Sequence, residues 1–174
     1  MALYSYEGRE PVIGRDCFVA DSAQIIGDVV IADGCYVGHG AVLRGDYGGM
    51  RIGEGSAIEE CAVLHVPPQI VMTLGERVTV GHGAVCHGLT IGHDVVLGMG
   101  SVVSWNCTLG PWCILAEGGV LPTKRQIPEG KLLGGVPARI LGDVTEENRT
   151  FWTWGKKLYR DLARDMPGKL RRID

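Results

Sequence analysis

The chain repeats itself every six residues, and that period leaves few folds open to it. Apolar residues recur at Ile13, Val19, Ile25, Ile31, Val37 and Leu43, then at Ile52, Ile58 and Leu64, then at Leu74, Val80 and Cys86. A last run takes in Ile91, Leu97, Val103, Leu109, Leu115 and Leu121. Two residues ahead of most of these stands a smaller one, such as Cys17, Ala23, Cys35, Ala41, Ala62, Ala84, Ser101, Cys107 or Cys113. Side chains alternate along a strand, so residues two apart point the same way. The small residue and the aliphatic therefore both face inward from a short strand. An amphipathic helix would need a period near 3.6, which is absent. An antiparallel sandwich would show hairpin dipeptides at less regular spacing. The period predicts a mainly β protein, a parallel β-helix with three short sides to each coil.

The residue after each aliphatic is often glycine, as at Gly14, Gly38, Gly53, Gly75, Gly81, Gly92, Gly98 and Gly110. These glycines are expected to allow unusual backbone angles near the corners. Three interruptions stand out. Tyr47–Arg51 is expected to lengthen a corner, Val66–Thr73 with its Pro67-Pro68 pair to loop out, and the step from Cys86 to Ile91 is one residue short. The period reads as ending at Leu121. The expected organisation is a single domain over 1–174: a β-helix over 12–121, a connector over 122–142 punctuated by Pro122, Pro128 and Pro137, and a C-terminal helix over 143–166. Asp143 with Glu146 suggests a capping box. Phe151, Trp154, Leu158 and Leu162 form one apolar stripe, expected to pack along the β-helix.

Composition excludes several classes. The net charge is −3, and no basic stripe suits a nucleic acid. Lys169, Arg171 and Arg172 read as a solvated tail. No apolar run is long enough for a bilayer, and Met1-Ala2-Leu3-Tyr4 does not open a secretory signal. Neither nucleic acid nor membrane is expected as a partner. Six cysteines without metal-type pairing read as reduced thiols of a cytoplasmic protein, and Cys17, Cys35, Cys107 and Cys113 as small core fillers.

The histidines fall into the repeat in a telling way. Residues three strands apart lie one coil above one another, about 4.8 Å away. Leu43 then sits beneath Leu64 and Leu64 beneath Cys86, so Arg44, His65 and His87 form one column. Two adjacent imidazoles can converge on one ion. His82 lies on the preceding side of the triangle, where its own chain cannot bring it to the other two. A symmetry-related copy can, which predicts a homotrimer with metal sites between subunits. His39 and His93 fall off this pattern and read as non-ligands.

Arg44-Gly45-Asp46, then His65, then His82-Gly83-Ala84-Val85-Cys86-His87 resemble the motifs of the γ-class carbonic anhydrases, members of the hexapeptide-repeat superfamily of left-handed β-helices. The resemblance covers nearly the whole chain, and left-handed winding is implied by it. It also implies Zn²⁺ held by His65, His82 and His87, with Fe²⁺ or Co²⁺ as alternatives. Zinc would convert its water to hydroxide, which attacks carbon dioxide to yield bicarbonate. Arg44 and Asp46 are implied to pair across the subunit interface. Departures from the family pattern are also visible. Where the family has Asn-x-Gln-Asp, this chain has Ala57-Ile58-Glu59-Glu60. Glu59, with Glu60 beside it, places a carboxylate that can act as general base or can bind the metal and close the site. Tyr47-Gly48-Gly49-Met50 and Val66–Thr73 lack the acids of the prototype's proton-shuttling loops. Tyr159 resembles a tyrosine that lines the site in some relatives. Two other functions stay open: an acyltransferase or thioesterase using coenzyme A, and a catalytically weak metal-binding scaffold subunit.

Overall fold

In the computed structural model, which describes residues 1–174, the six-residue period closes into a triangular parallel β-helix. The chain runs along three faces in turn. Face A carries the first part of the strand Val42–Ile52, then Val63–His65, Val85–Cys86, Val102–Val103 and Val120–Leu121. Face B carries the end of Val42–Ile52, then Val71–Leu74, Thr90–Ile91, Thr108–Leu109 and Gln126–Ile127. Face C carries Phe18–Val19, Tyr36–Val37, Ala57–Ile58, Thr79–Val80, Val96–Leu97, Ile114–Leu115 and Lys131–Gly135. The register is the expected one: Leu43 pairs with Leu64, Arg44 with His65, and Leu64 with Cys86. The aliphatic residues and their small neighbours fill one continuous buried core. Each large aliphatic buried there contributes roughly 1.5–3 kcal/mol.

The outward columns differ sharply between faces. On face C, Phe18, Tyr36, Ala57, Thr79, Val96 and Ile114 stand in line and are all buried. They lie beneath the single helix, α1 (Glu146–Lys169), and around Val144 and Trp152. Face B shows Arg51, Thr73, Thr90, Thr108 and Gln126. Face A shows Val42, Val63, Val85, Val102 and Val120, each half-buried. No helix is long and apolar enough to cross a membrane.

Several sequence expectations need correction. The period does not end at Leu121. Ile127 pairs above Leu109 and Leu133 above Leu115, so the connector contributes two further sides before Ala138–Asp143 returns antiparallel along Lys131–Gly135. The prolines had masked this, although they sit at corners. Tyr47–Arg51 is not a corner loop but part of the unbroken strand Val42–Ile52, paired with Gln24–Ile31 through one register shift. Its glycines permit the close approach: a Cβ on Gly48 would lie 2.4 Å from the Ile70 carbonyl oxygen. Within Val66–Thr73, the residues from Val71 onward return to the sheet.

The glycine after the aliphatic also has a different task from the one expected. Positive φ falls on Asp94, Gly100, Asn106, Trp112, Gly118, Lys124 and Gly130, every sixth residue and often not glycine. Gly92 has no such φ. A Cβ on it would stand 2.5 Å from the Pro111 nitrogen of the next coil. Small size is needed there because one coil's backbone rests on another's.

Helix α1 starts at Glu146, later than expected, because Asp143 is still in the hairpin strand. Its capping box is Thr145 with Asn148, not Asp143 with Glu146. The Asn148 N–H donates to Thr145 Oγ1 at 3.2 Å, and the Thr145 N–H donates to Asn148 Oδ1 at 3.0 Å. The stripe Phe151, Trp154, Leu158 and Leu162 faces away from the β-helix and is exposed. The docked face carries Lys156, Tyr159, Ala163 and Met166 instead. Tyr159 meets Tyr36 edge-on at 5.1 Å, and Lys156 Nζ donates to Thr79 Oγ1 at 3.3 Å and to the Val95 carbonyl at 3.4 Å.

Three variants test this account of stability. Gly92→Ala should lower unfolding free energy by about 1–3 kcal/mol, because two backbones must separate. Gly100→Asn should cost under ~1 kcal/mol, since no atom lies within 4 Å of a Cβ there and asparagine tolerates its φ of +64°. Urea denaturation of both variants tests the contrast. Burial lowers the Lys156 amine to about 8 from 10.5. Below about pH 8 folded and unfolded chains both hold the proton, so the desolvation cost is felt in full. Between there and 10.5 the unfolded chain alone holds it, and stability rises with pH. Lys156→Met should therefore stabilise the chain at pH 7 by roughly 2 kcal/mol, with the gain fading as pH climbs towards the alkaline end of that window.

Candidate metal centre

Two corners flank face A, and each holds half of the predicted centre. At the corner between faces A and B, His65 ends the strand Val63–His65 and His87 follows Val85–Cys86. Their rings stand 5.0 Å apart, edge to face. The shortened step after Cys86 turns here without the usual corner. Trp105, one coil further on, stacks on His87 with centroids 4.6 Å apart and planes 27° from parallel, and lies 6.3 Å from His65. An Arg44 Nη2–H donates to His65 Nε2 at 2.7 Å. Asp46 lies 3.6 Å from both the same His65 nitrogen and Arg44 Nε. Burial, then the Arg44 charge, holds the His65 ring below its ordinary pKa, and Asp46 only partly opposes them. Burial, His65 and Arg44 do the same to His87. Both rings are therefore neutral at pH 7, the state in which imidazole ligates a metal. His87 Nδ1 is buried without a hydrogen-bond partner, an arrangement that costs about 1–3 kcal/mol.

At the corner between faces C and A, His82 is half exposed and clasped by acids. Glu60 Oε2 lies 2.7 Å from its Nδ1, and Glu59 Oε2 lies 3.2 Å from its Nε2. The His82 backbone N–H donates to the same Glu59 oxygen at 3.1 Å. The repeat register explains this, since both glutamates lie one coil beneath Gly81 and His82. Glu59 is almost fully buried, and burial raises its carboxyl pKa against the opposing pull of His82. Burial also acts on Glu60, but the Tyr36 hydroxyl, its own backbone N–H and His82 together bring it below the usual range. The Tyr36 hydroxyl donates to Glu60 Oε1 at 2.7 Å. Tyr159 Oη lies 3.4 Å from His82 Nε2. Burial raises the pKa of both tyrosines, so both hydroxyls stay protonated as donors.

Within one chain the two halves stay apart, and no three His, Cys, Asp or Glu side chains can hold an ion together. The residues of the two corners nonetheless suit a divalent transition metal. They offer two neutral imidazoles side by side on one edge and a third imidazole, backed by carboxylates, on the other. His39 and His93 bond to Ser22 Oγ and Asp94 Oδ2, both at 2.9 Å, away from either half. The sequence reading missed Trp105 and Tyr36. Extending the His65–His87 column by one coil leads to Ser104 and so to the adjacent aromatic. Tyr36 gave no such sign, because its role depends on the reach of Glu60 from the next coil.

A family model for the bacterial transferase hexapeptide (six repeats) matches residues 10–45. The carnitine operon protein CaiE of Salmonella agona is 36% identical over 163 residues, covering 94% of this chain and 82% of that protein. The mitochondrial gamma carbonic anhydrase 2 of Arabidopsis thaliana is 35% identical over 161 residues, 89% of this chain, but the chain spans only 58% of the plant protein. Among solved structures, a hexapeptide transferase family protein from Anaplasma phagocytophilum superposes with a TM-score of 0.89 at 33% identity, covering 97% of this chain and 98% of that one. The chain belongs to the hexapeptide-repeat superfamily of left-handed β-helices, in its γ-class carbonic anhydrase-like branch.

Proposed function

We propose that three copies assemble around face A, that His82 of one copy meets His65 and His87 of the next around Zn²⁺, and that this centre hydrates carbon dioxide reversibly to bicarbonate. One observation carries the reading. Face A is a column of five valines that nothing in the chain covers, and its two edges hold the two unlike halves of the centre. Face C is apolar too, but α1 lies over it. Face B is polar and suits water. A heterologous contact along face A closes after three copies into a ring with three equivalent sites.

When bound, the ion supplies Lewis acidity that makes water nucleophilic near neutral pH. Iron or cobalt can fill the same ligand set. The chain's own residues divide the remaining tasks. His65 and His87 stay unprotonated and present lone pairs, and Trp105 fixes the His87 ring from one side. Glu60, held by Tyr36, orients His82 through Nδ1. Glu59, buried and with a raised pKa, accepts the proton that the attacking water releases. Tyr159 lines the pocket beside His82, a cavity of about 200 Å³ that suits a small substrate. Arg44 leaves His65 and pairs with Asp46 across the interface. Six free thiols, most of them buried, suit a reducing compartment such as the cytoplasm.

The transferase name of the structural relative favours a second reading, acyl transfer from coenzyme A, in which no metal is needed.

Two measurements separate these readings. Co²⁺ added to the metal-free protein should bind at one ion per chain and quench tryptophan fluorescence. In Trp105→Phe the ion should still bind while most of the quenching disappears. Absence of stoichiometric binding would remove the metal centre. Stopped-flow hydration of carbon dioxide should show activity in the zinc-loaded protein and none in His82→Ala or His87→Ala. Unfolding and refolding those two variants together should restore about a quarter of the sites, because every mixed ring has one intact interface. Silence in the mixture would exclude a site shared between copies.

A further inference from the structure

The small inward residues of face C begin with two cysteines. Phe18 pairs with Tyr36, so Cys17 stands beside Cys35 in register, one coil apart. No other cysteine in a strand stack has a second beside it. Cys86 stands between Leu64 and Val103, Cys107 between Leu89 and Arg125, and Cys113 between Val95 and Lys131. Neighbouring strands lie about 4.8 Å apart, within the roughly 4.4–6.8 Å between Cα atoms that a disulfide spans. Both side chains point the same way, because both sit two places ahead of an inward valine.

The two thiols differ in access. Phe18–Val19 is the edge strand of face C, with no further strand of that sheet beneath it. Cys17 is therefore part exposed, while Cys35 is fully buried. They also differ in chemistry. The Cys35 N–H donates to Cys17 Sγ at 3.4 Å. When protonated, the Cys17 thiol donates to the Ala32 carbonyl at 3.1 Å. A hydrogen bond from the Cys35 thiol, joined by the N–H groups of Cys35 and Gly34, outweighs burial and the Asp33 charge and brings the Cys17 thiol down to about 7. Cys17 and burial hold the Cys35 thiol well above its ordinary range. An accessible sulfur that ionises near neutrality, beside a buried one that keeps its proton, is the arrangement of a redox-reactive cysteine with a resolving partner.

We propose that Cys17 and Cys35 form a peroxide-reactive dithiol, in which Cys17 is oxidised first and Cys35 resolves it as a disulfide joining the first two turns of face C. The Cys17 thiolate attacks one oxygen of hydrogen peroxide. The S–O bond forms, the O–O bond breaks, and the departing hydroxide takes up a proton as water. Cys17 is left as the sulfenic acid. The Cys35 sulfur then attacks the Cys17 sulfur. The S–S bond forms, the S–O bond breaks, and the hydroxide leaves as water with the Cys35 proton. Two thiols are oxidised and one peroxide is reduced to two waters. The step needs neither the proposed metal nor a second copy. Its product closes a loop around one whole coil and pins the edge strand of face C to its neighbour, which constrains the unfolded chain.

Mass spectrometry of the full chain tests this. Trypsin should release Asp16–Arg44 as one peptide that contains Cys17 and Cys35 and no other cysteine. After brief treatment with hydrogen peroxide and alkylation of the remaining thiols, that peptide should be lighter by two hydrogens and carry no alkyl group, and dithiothreitol should reverse this. Cys61 is the most exposed cysteine, yet it should react about tenfold or more slowly. Cys35→Ser keeps a hydroxyl donor beside Cys17 and should accumulate a sulfenic acid at Cys17 that dimedone traps. Cys17→Ser should leave Cys35 reduced under the same treatment. The oxidised wild-type chain should unfold at higher urea concentration than the reduced one. Oxidation of Cys61 ahead of Cys17, or a fully alkylated Asp16–Arg44 peptide from the peroxide-treated wild type, would overturn the proposal, and the second result does not depend on how either variant folds.

Discussion

Everything in this molecule depends on backbones of successive coils lying against each other at the spacing of paired parallel strands. That contact sets the six-residue rung, because a shorter or longer side would break register with the coil below. It also fixes which residues are small. Gly53, Gly75, Gly92 and Gly110 each leave room for a neighbouring backbone that would lie under 3.0 Å from a Cβ. A side chain there would pry two coils apart, and the strain would pass up the stack because the interior is close-packed. Functional columns are a by-product of the same contact. Once register is fixed, any residue type repeated in phase becomes a vertical line on the surface, as the valines, the threonines and the two histidines do.

The three faces show how one repeat produces three chemistries. Their inward residues are nearly interchangeable, so the fold does not discriminate between them. The outward position is free to vary, and it decides each face's neighbour. Aromatics on face C call for a cover, which α1 provides through a face of Tyr159, Ala163 and the stem of Lys156. Threonines on face B offer hydroxyls that can hydrogen-bond to water and keep β-propensity high. Valines on face A also favour strands, but they lack any polar group to satisfy water, and such a continuous apolar strip is the usual mark of an interface. The division matters for the proposed assembly because the strip runs between the corner of His82 and the corner of His65 and His87.

The fold was legible in the sequence because its period is strict and the core residues obey it. So was the pairing of Arg44 with His65, since register follows from counting once the interruptions are placed. What the sequence hid was steric and non-local. Gly92 and Gly100 look alike on the page, yet one serves packing and the other a left-handed corner. Ile127 and Leu133 continue the repeat through a proline-rich stretch that reads as a connector. The stripe of Phe151, Trp154, Leu158 and Leu162 has the spacing of a buried helix face, but face C is already crowded with Phe18 and Tyr36. The helix instead turns Lys156, Tyr159, Ala163 and Met166 towards that face, with Tyr159 edge-on to Tyr36. In the centre itself, the acids around His82 were placed one coil beneath it by counting alone. The stacking of Trp105 on His87 required knowing where a corner residue turns.

The electrostatics of the two corners bear on how copies would meet. Each half of the centre is occupied in a single chain by a group of its own. A guanidinium sits on His65, and two carboxylates sit on His82. Both arrangements satisfy the imidazoles locally, yet neither is the only outlet for its charge. Arg44 is half exposed and keeps Asp46 within reach, while Glu60 retains Tyr36. Bringing one copy's exposed Arg44 to another's acidic corner would place a guanidinium opposite carboxylates, whereas the reverse orientation would set carboxylates against carboxylates. Valine contacts alone are indifferent to register and would let two faces slide by a coil. In the proposed assembly the charged corners would not be indifferent, and they would favour the alignment that sets His82 level with His65 and His87. Apolar burial would then supply the affinity between copies, and the residues around the histidines the precision, before any ion is bound.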